Sequence, residues 1–113
     1  MKRGVVVLTP FPFTNLSGQK VRPALVVSRT DRMGSDVVLA FITSHADGTV
    51  LPTDLELLAS HPNFRFTGLK RNSLVKLDKL ITVEANIILG ELGELTPDLL
   101  LDADEKLRFA LAL

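Results

Sequence analysis

Hydrophobic and polar positions divide the chain into short apolar runs separated by turn chemistry. Residues 4–8 are mostly β-branched and read as a first strand, which Pro10 is expected to end because proline has no N–H to give a ladder. Residues 11–21 mix Pro, Asn, Ser, Gly and Gln, the composition of a loop, and residues 23–28 resume an apolar run that reads as a second strand. Residues 30–36 form a turn. "VVLAFITS", residues 37–44, reads as a third, buried strand, and Asp47-Gly48 turns the chain again. Between residues 50 and 57 a weak alternation, interrupted by Pro52, gives one short strand before an irregular connection around Pro62.

The second half is less regular. In "SLVKLDKLITV" the apolar positions fit neither a period of two nor one of 3.6, and only residues 73–77 are predicted as strand. In residues 86–95 the spacing of three at Leu89, Leu92 and Leu95 suits a helix, while Gly90 and Gly93 oppose one, so the type of that element stays open. From Thr96 the signal is clear: Thr96 is a good N-cap, Pro97 fits the first helical position and Asp98 sets an anion near the helix N-terminus. That helix is predicted to run to Leu111, with Leu100, Ala103, Leu107, Ala110 and Leu111 as its apolar stripe facing the core. Strands first and a helix last point to a mostly β (α+β) fold, a small β-barrel or curled sheet with a C-terminal helix.

Composition narrows the chemistry. A chain of 113 residues fits a single domain, residues 1–113, and a hydrophobic share of 46% with 23% charged residues is that of a soluble globular protein. No apolar run approaches the roughly 20 residues that span a bilayer, and Lys2-Arg3 precedes too short an apolar stretch for a secretory signal, so a cytoplasmic location and no membrane partner are expected. The absence of cysteine removes disulfides and thiolate chemistry, and two separated histidines, His45 and His61, cannot alone hold a metal. Neither a metal nor a cofactor is expected. Net charge is zero, but residues 1–35 carry six basic side chains against Asp31, whereas residues 84–105 carry seven acids and no base. That asymmetry reads either as a solvated acidic helix with scattered surface lysines or as a basic binding face in the N-terminal half.

Few catalytic constellations survive. Ser44 and His45 are adjacent, so on a strand their side chains would point to opposite faces and cannot form a triad. "SGQK" lacks the glycine and Lys-Ser/Thr spacing of a Walker loop. What remains is Arg22 at a loop-to-strand junction, and Thr43 with Ser44 where a buried strand surfaces. A planar guanidinium beside a hydroxyl donor suits a phosphorane-like transition state, though the same residues also read simply as a surface charge and a strand end.

"RGVVVLTPFPFTNLSGQKVRPALVVS", followed by "VVLAFITS" and "TGLKRNSLVKLDKLITV", resembles the PemK/MazF family of toxins from toxin-antitoxin pairs, in order and over nearly the whole chain. The carrying motifs are a Gly-strand opening, a loop that closes on Arg-Pro and an Ile-Thr-Ser strand end. The resemblance implies an SH3-like β-barrel, a homodimer, and a metal-independent endoribonuclease that cuts single-stranded messenger RNA and is neutralised by a cognate antitoxin. It assigns catalysis to Arg22, which would stabilise charge, and Thr43, which would donate to the phosphate, with 2′,3′-cyclic phosphate and 5′-hydroxyl ends as products. Val5 departs from the pattern, standing where many relatives have an acidic residue after the opening Gly.

Single-stranded RNA is held by splaying bases onto aromatic or guanidinium planes beside basic groups. Phe11 and Phe13, stiffened by prolines and followed by Lys20 and Arg22, fit such a platform, with Ser44 as a further RNA contact. The competing reading makes one or both rings plugs of the barrel or of a dimer seam. Two other functions stay open: a toxin on the same fold that poisons DNA gyrase by binding alone, and a catalytically silent module that binds an antitoxin.

Overall fold

The computed structural model describes residues 1–11, 20–31, 34–45 and 48–113. Among these described residues six antiparallel strands and one helix make up the regular structure: β1 (Val5–Phe11), β2 (Lys20–Val26), β3 (Asp36–Ser44), β4 (Asp54–Leu57), β5 (Ser73–Glu84), β6 (Gly90–Glu94) and α1 (Pro97–Leu111). The strand order is β4-β5-β3-β2-β1-β6, and the sheet curls into a half-barrel. Two 3₁₀ turns, Phe64–Thr67 and Ala85–Ile87, link its parts.

Both faces of the sheet are covered, which is why the strands read as continuous apolar runs rather than as alternation. On the inner face Val6, Leu25, Ala40, Ile42, Val75 and Leu77 pack with Leu55, Leu57 and Phe64, and α1 closes this core with Leu99 and Ala103. On the other face Val5, Val7, Phe11, Ala24, Val26, Val37 and Leu39 form a second cluster, against which Phe41, Ile81, Val83 and Ile88 pack. The bend that carries Ile81 and Val83 there comes from a register shift: Ala40 pairs with Leu80 but Phe41 with Lys76, so residues 77–79 are extra on β5. That bulge is also why residues 73–83 show no clean period.

Several boundaries differ from the expectation. β1 continues through Pro10 to Phe11, and β2 begins at Lys20 and contains Pro23. Pairing explains both: β6 pairs with β1 only from Val5 to Leu8, and β3 pairs with β2 only from Ala24 to Val26. Each proline therefore lies where its strand has a neighbour on one side alone, and a missing donor breaks no ladder there. The segment whose type was open, residues 86–95, forms a 3₁₀ turn and strand β6, not a helix. Helix α1 begins and ends as expected, but its buried positions are Leu99 and Ala103, with Leu100 and Leu107 half-buried against the core and Leu111 exposed. The Thr96 hydroxyl bonds the Asp98 carboxylate rather than a backbone N–H, and this bond, followed by one from Asn63, holds the Asp98 carboxyl below its ordinary value.

A seam closes the curl beyond β6. The backbone of Phe66–Gly68 lies directly on that strand: a Cβ on Gly93 would sit 2.2 Å from the Phe66 carbonyl oxygen, and one on Gly68 2.1 Å from that of Leu92. Gly68 also has φ +74°, a left-handed conformation that side chains disfavour. These two glycines allow main chain to meet main chain.

Candidate active site

The β2–β3 ladder has its last pair at Ala24 and Phe41, and the same register carried two residues further sets Arg22 opposite Thr43. Arg22 is itself held by pairing with Thr9 of β1, Thr43 by pairing with Leu74 of β5, and Ser44 by pairing with Ser73. Each side chain thus projects from backbone fixed on one flank by a ladder, at the end of the sheet where the strands diverge. There Arg22, Thr43 and Ser44 line one hollow of about 330 Å³, whose apolar wall is Leu8, Pro23, Ile42, Leu69 and Leu92.

A further part of the wall comes from residues 68–73, which the sequence reading quoted within the family resemblance but did not name as site residues. Lys70 and Arg71 line the hollow with Gly68, Leu69 and Ser73. Their loop is anchored throughout. Leu69 N–H donates to Thr67 Oγ1 at 3.1 Å while that hydroxyl donates to Phe64 O at 2.7 Å. His45 N–H donates to Asn72 O at 2.9 Å, Ala59 N–H donates to Asn72 Oδ1 at 2.7 Å, and Ser73 Oγ donates to Arg71 O at 2.9 Å. The only signal available in sequence was "LKRN" after a glycine, an ordinary surface loop until the seam on β6 brings it to face Arg22.

The charge of this hollow sets it apart. Its described lining holds Arg22, Lys70 and Arg71 and no carboxylate. Hollows elsewhere on the described surface include Glu91 and Glu94, Glu94 and Asp104, Asp104, or Asp54, Glu56, Asp102 and Glu105. Arg22, Lys70 and Arg71 enter no ion pair among the described residues. Much of the rest of the basic N-terminal half is neutralised locally: Lys2 pairs with Glu94, Arg3 with Asp104 and Arg29 with Asp31. Among the described residues the sequence asymmetry therefore builds no broad basic face; the compact one around Arg22 is completed by Lys70 and Arg71 from outside the N-terminal half.

Other candidate residues fall elsewhere. Phe11 is 4% exposed, its ring centroid 4.3 Å from that of Phe41 in the outer cluster, so it is a core plug and not a stacking platform. Phe13 lies outside the described residues. Lys20 is exposed at the start of β2, opposite Phe11, and does not line the hollow. Val5 is buried in the outer cluster, where an acidic side chain would be desolvated. His45 stands off from the hollow with Nε2 3.2 Å from Glu56 Oε2, and His61 lies by Asp98 near the start of α1. Among the described residues no group of three or more His, Cys, Asp or Glu gathers to hold a metal. Among the described residues no helix is long and apolar enough to cross a membrane.

A curled six-stranded sheet with a C-terminal helix, bearing at its open end a cationic hollow lined by both an arginine and a threonine, defines a small β protein with a positively charged surface hollow. The particular family follows from comparison: residues 2–111 match the PemK-like, MazF-like toxins of type II toxin-antitoxin systems, and the chain belongs to that family. No curated protein matches the chain in sequence. Solved structures do. An endoribonuclease from a mycobacterial species is 26% identical with a TM-score of 0.72, over 100% of this chain and 92% of that one. The MazE-MazF structure from Deinococcus radiodurans is 25% identical with a TM-score of 0.72, over 100% of this chain and 97% of that one. A mycobacterial endoribonuclease in complex with its cognate antitoxin, 24% identical, shares the fold with a TM-score of 0.77 over 100% of this chain and 96% of that one.

Proposed function

We propose that this chain is an endoribonuclease toxin that cleaves single-stranded messenger RNA without a metal ion and is neutralised by a cognate antitoxin. The observation that carries the reading is the hollow that Arg22 and Thr43 both line, free of carboxylates among the described residues. Family membership and the neighbouring endoribonuclease and MazE-MazF structures support it. The RNA 2′-oxygen attacks the adjacent phosphorus as its O–H bond breaks. The P–O5′ bond then breaks, and a proton reaches the departing 5′-oxygen, leaving a 2′,3′-cyclic phosphate and a 5′-hydroxyl. Arg22 holds the extra negative charge of the phosphorane through its planar fork, and Thr43 donates its hydroxyl to a phosphoryl oxygen. Ser44 also lines the hollow, as a further RNA contact. The described wall contains no imidazole or carboxylate, so protons pass through solvent in this scheme. The working unit is proposed to be a homodimer, since one copy leaves Leu89, Leu101, Phe109 and Leu113 exposed.

Side-chain replacement tests the assignment. Arg22→Ala should lower kcat by about 10²–10³, the range for removing one charge-stabilising donor, while leaving the melting temperature unchanged. Arg22→Lys should recover little of it, because an ammonium cannot present two parallel donors. Thr43→Ser should remain active and Thr43→Val should not, although valine matches the shape better. Full cleavage by folded Arg22→Ala, or equal rates for the two Thr43 variants, overturns these roles.

A further inference from the structure

We infer that Lys70 and Arg71 form a phosphate track for the RNA strand beyond the scissile bond, so that the seam-anchored loop sets the path of the substrate through the hollow. The inference rests on the reading of the hollow as an RNA site and extends it to two residues with no part in the reaction itself.

A single phosphate bound between Arg22 and Thr43 already has a cation and a hydroxyl donor, yet two further cations line the same 330 Å³ hollow from the loop before β5. Three positive side chains brought together without a carboxylate repel one another, an arrangement that an incoming polyanion relieves. Lys70 and Arg71 are exposed at their heads and have no ion-pair partner among the described residues. Their backbone, by contrast, is fixed. Gly68 is locked against Leu92, Thr67 ties down Leu69, and Asn72 is bonded both to His45 and to Ala59. Movable cationic heads on a fixed base suit contact with a chain of phosphates at successive positions, and they do not read bases. Leu69 and Leu92, which also line the hollow, give bases an apolar wall without an aromatic ring.

A phosphate track has a signature that a catalytic or purely structural role lacks, because each neutralised phosphate of a single strand contributes about 0.7 to the slope of log affinity against log salt. The probe is a mixed-sequence 20-nucleotide RNA with every 2′-oxygen methylated, which keeps the phosphates and cannot undergo the attack. Binding is measured from 50 to 200 mM KCl for the wild type, Lys70→Gln, Arg71→Gln and the double variant, with Lys79→Gln as an exposed control and Lys106→Gln as a half-buried one. Each loop substitution should flatten the slope by about 0.7 and the pair by about 1.4, so that the fourfold rise in salt weakens the double variant about sevenfold less than the wild type. The controls should not change it. Arg71→Lys should keep the wild-type slope. On cleavable RNA the double variant should raise KM while kcat holds. An unchanged slope in a double variant with the wild-type melting temperature overturns the track, and so does a fall in kcat as large as that of Arg22→Ala. If the wild type cleaves RNA and the slope does not move, only the track fails; if it neither binds nor cleaves RNA, the functional reading fails with it.

Discussion

Gly93→Ala and Gly68→Ala each place a methyl group where main chain already lies. At Gly93 the new Cβ would stand 2.2 Å from Phe66 O and 2.6 Å from Thr67 C, and at Gly68 it would stand 2.1 Å from Leu92 O. Carbon and oxygen need more than 3 Å, so the seam must open by roughly 1 Å in either variant. Opening it displaces Thr67, which is fully buried, and pulls at Phe64, which is part of the inner core. Overpacking of this kind costs about 1–3 kcal/mol, and the left-handed backbone at Gly68 adds about 1–2 kcal/mol for a residue with a side chain. Gly93→Ala should therefore lose about 1–3 kcal/mol and Gly68→Ala about 2–5 kcal/mol. At about 4 °C per kcal/mol this lowers the melting temperature by about 4–12 °C and 8–20 °C respectively. Gly90→Ala, in the same strand with open space around its Cβ, is the control and should be neutral or slightly stabilising. Thermal unfolding followed by circular dichroism reads all three. A Gly68→Ala protein that melts within 2 °C of the wild type would show that the seam is not closed as described.

Two further outcomes separate core from site. Phe11→Ala should cost about 3–5 kcal/mol, as a buried ring lost from its contact with Phe41, and RNA affinity corrected for the folded fraction should not fall; a stable variant with weakened RNA binding reverses that assignment. His45→Gln and His61→Gln, which alter imidazoles away from the hollow, should each leave kcat/KM within about threefold and its pH profile unchanged in shape, whereas a loss of the order expected for a general base, about 10²–10⁴, would place one of them in the reaction.

What could be read from the chain depended on whether the signal was local. Strand β3 was legible almost to the residue because an apolar run buried on both faces needs no partner to be recognised, and the terminal helix was legible from Thr96-Pro97-Asp98. Arg22 and Thr43 stood out as candidates through short motifs, and the register of β2 on β3 accounts for their lining one hollow. Strand β6 was not, since Leu89, Leu92 and Leu95 imitate helical spacing. Gly93 is there because another backbone lies on it, a fact of tertiary contact. Lys70 and Arg71 were missed for the same cause: the seam alone makes that loop face Arg22. Phe11 misled in a different way. A ring between prolines looks exposed, but β1 extends through Pro10 and turns that ring onto Phe41.

The central claim is that the hollow around Arg22 and Thr43 directs the RNA's own 2′-hydroxyl at its phosphate. The most direct test incubates the purified chain with a long single-stranded RNA in EDTA and determines the chemistry of both new ends. Cleavage that leaves 2′,3′-cyclic phosphate and 5′-hydroxyl termini, and that is absent with Arg22→Ala, is the expected result. Intact RNA in EDTA with cleavage restored by a divalent cation, or products bearing 5′-phosphate, would contradict it.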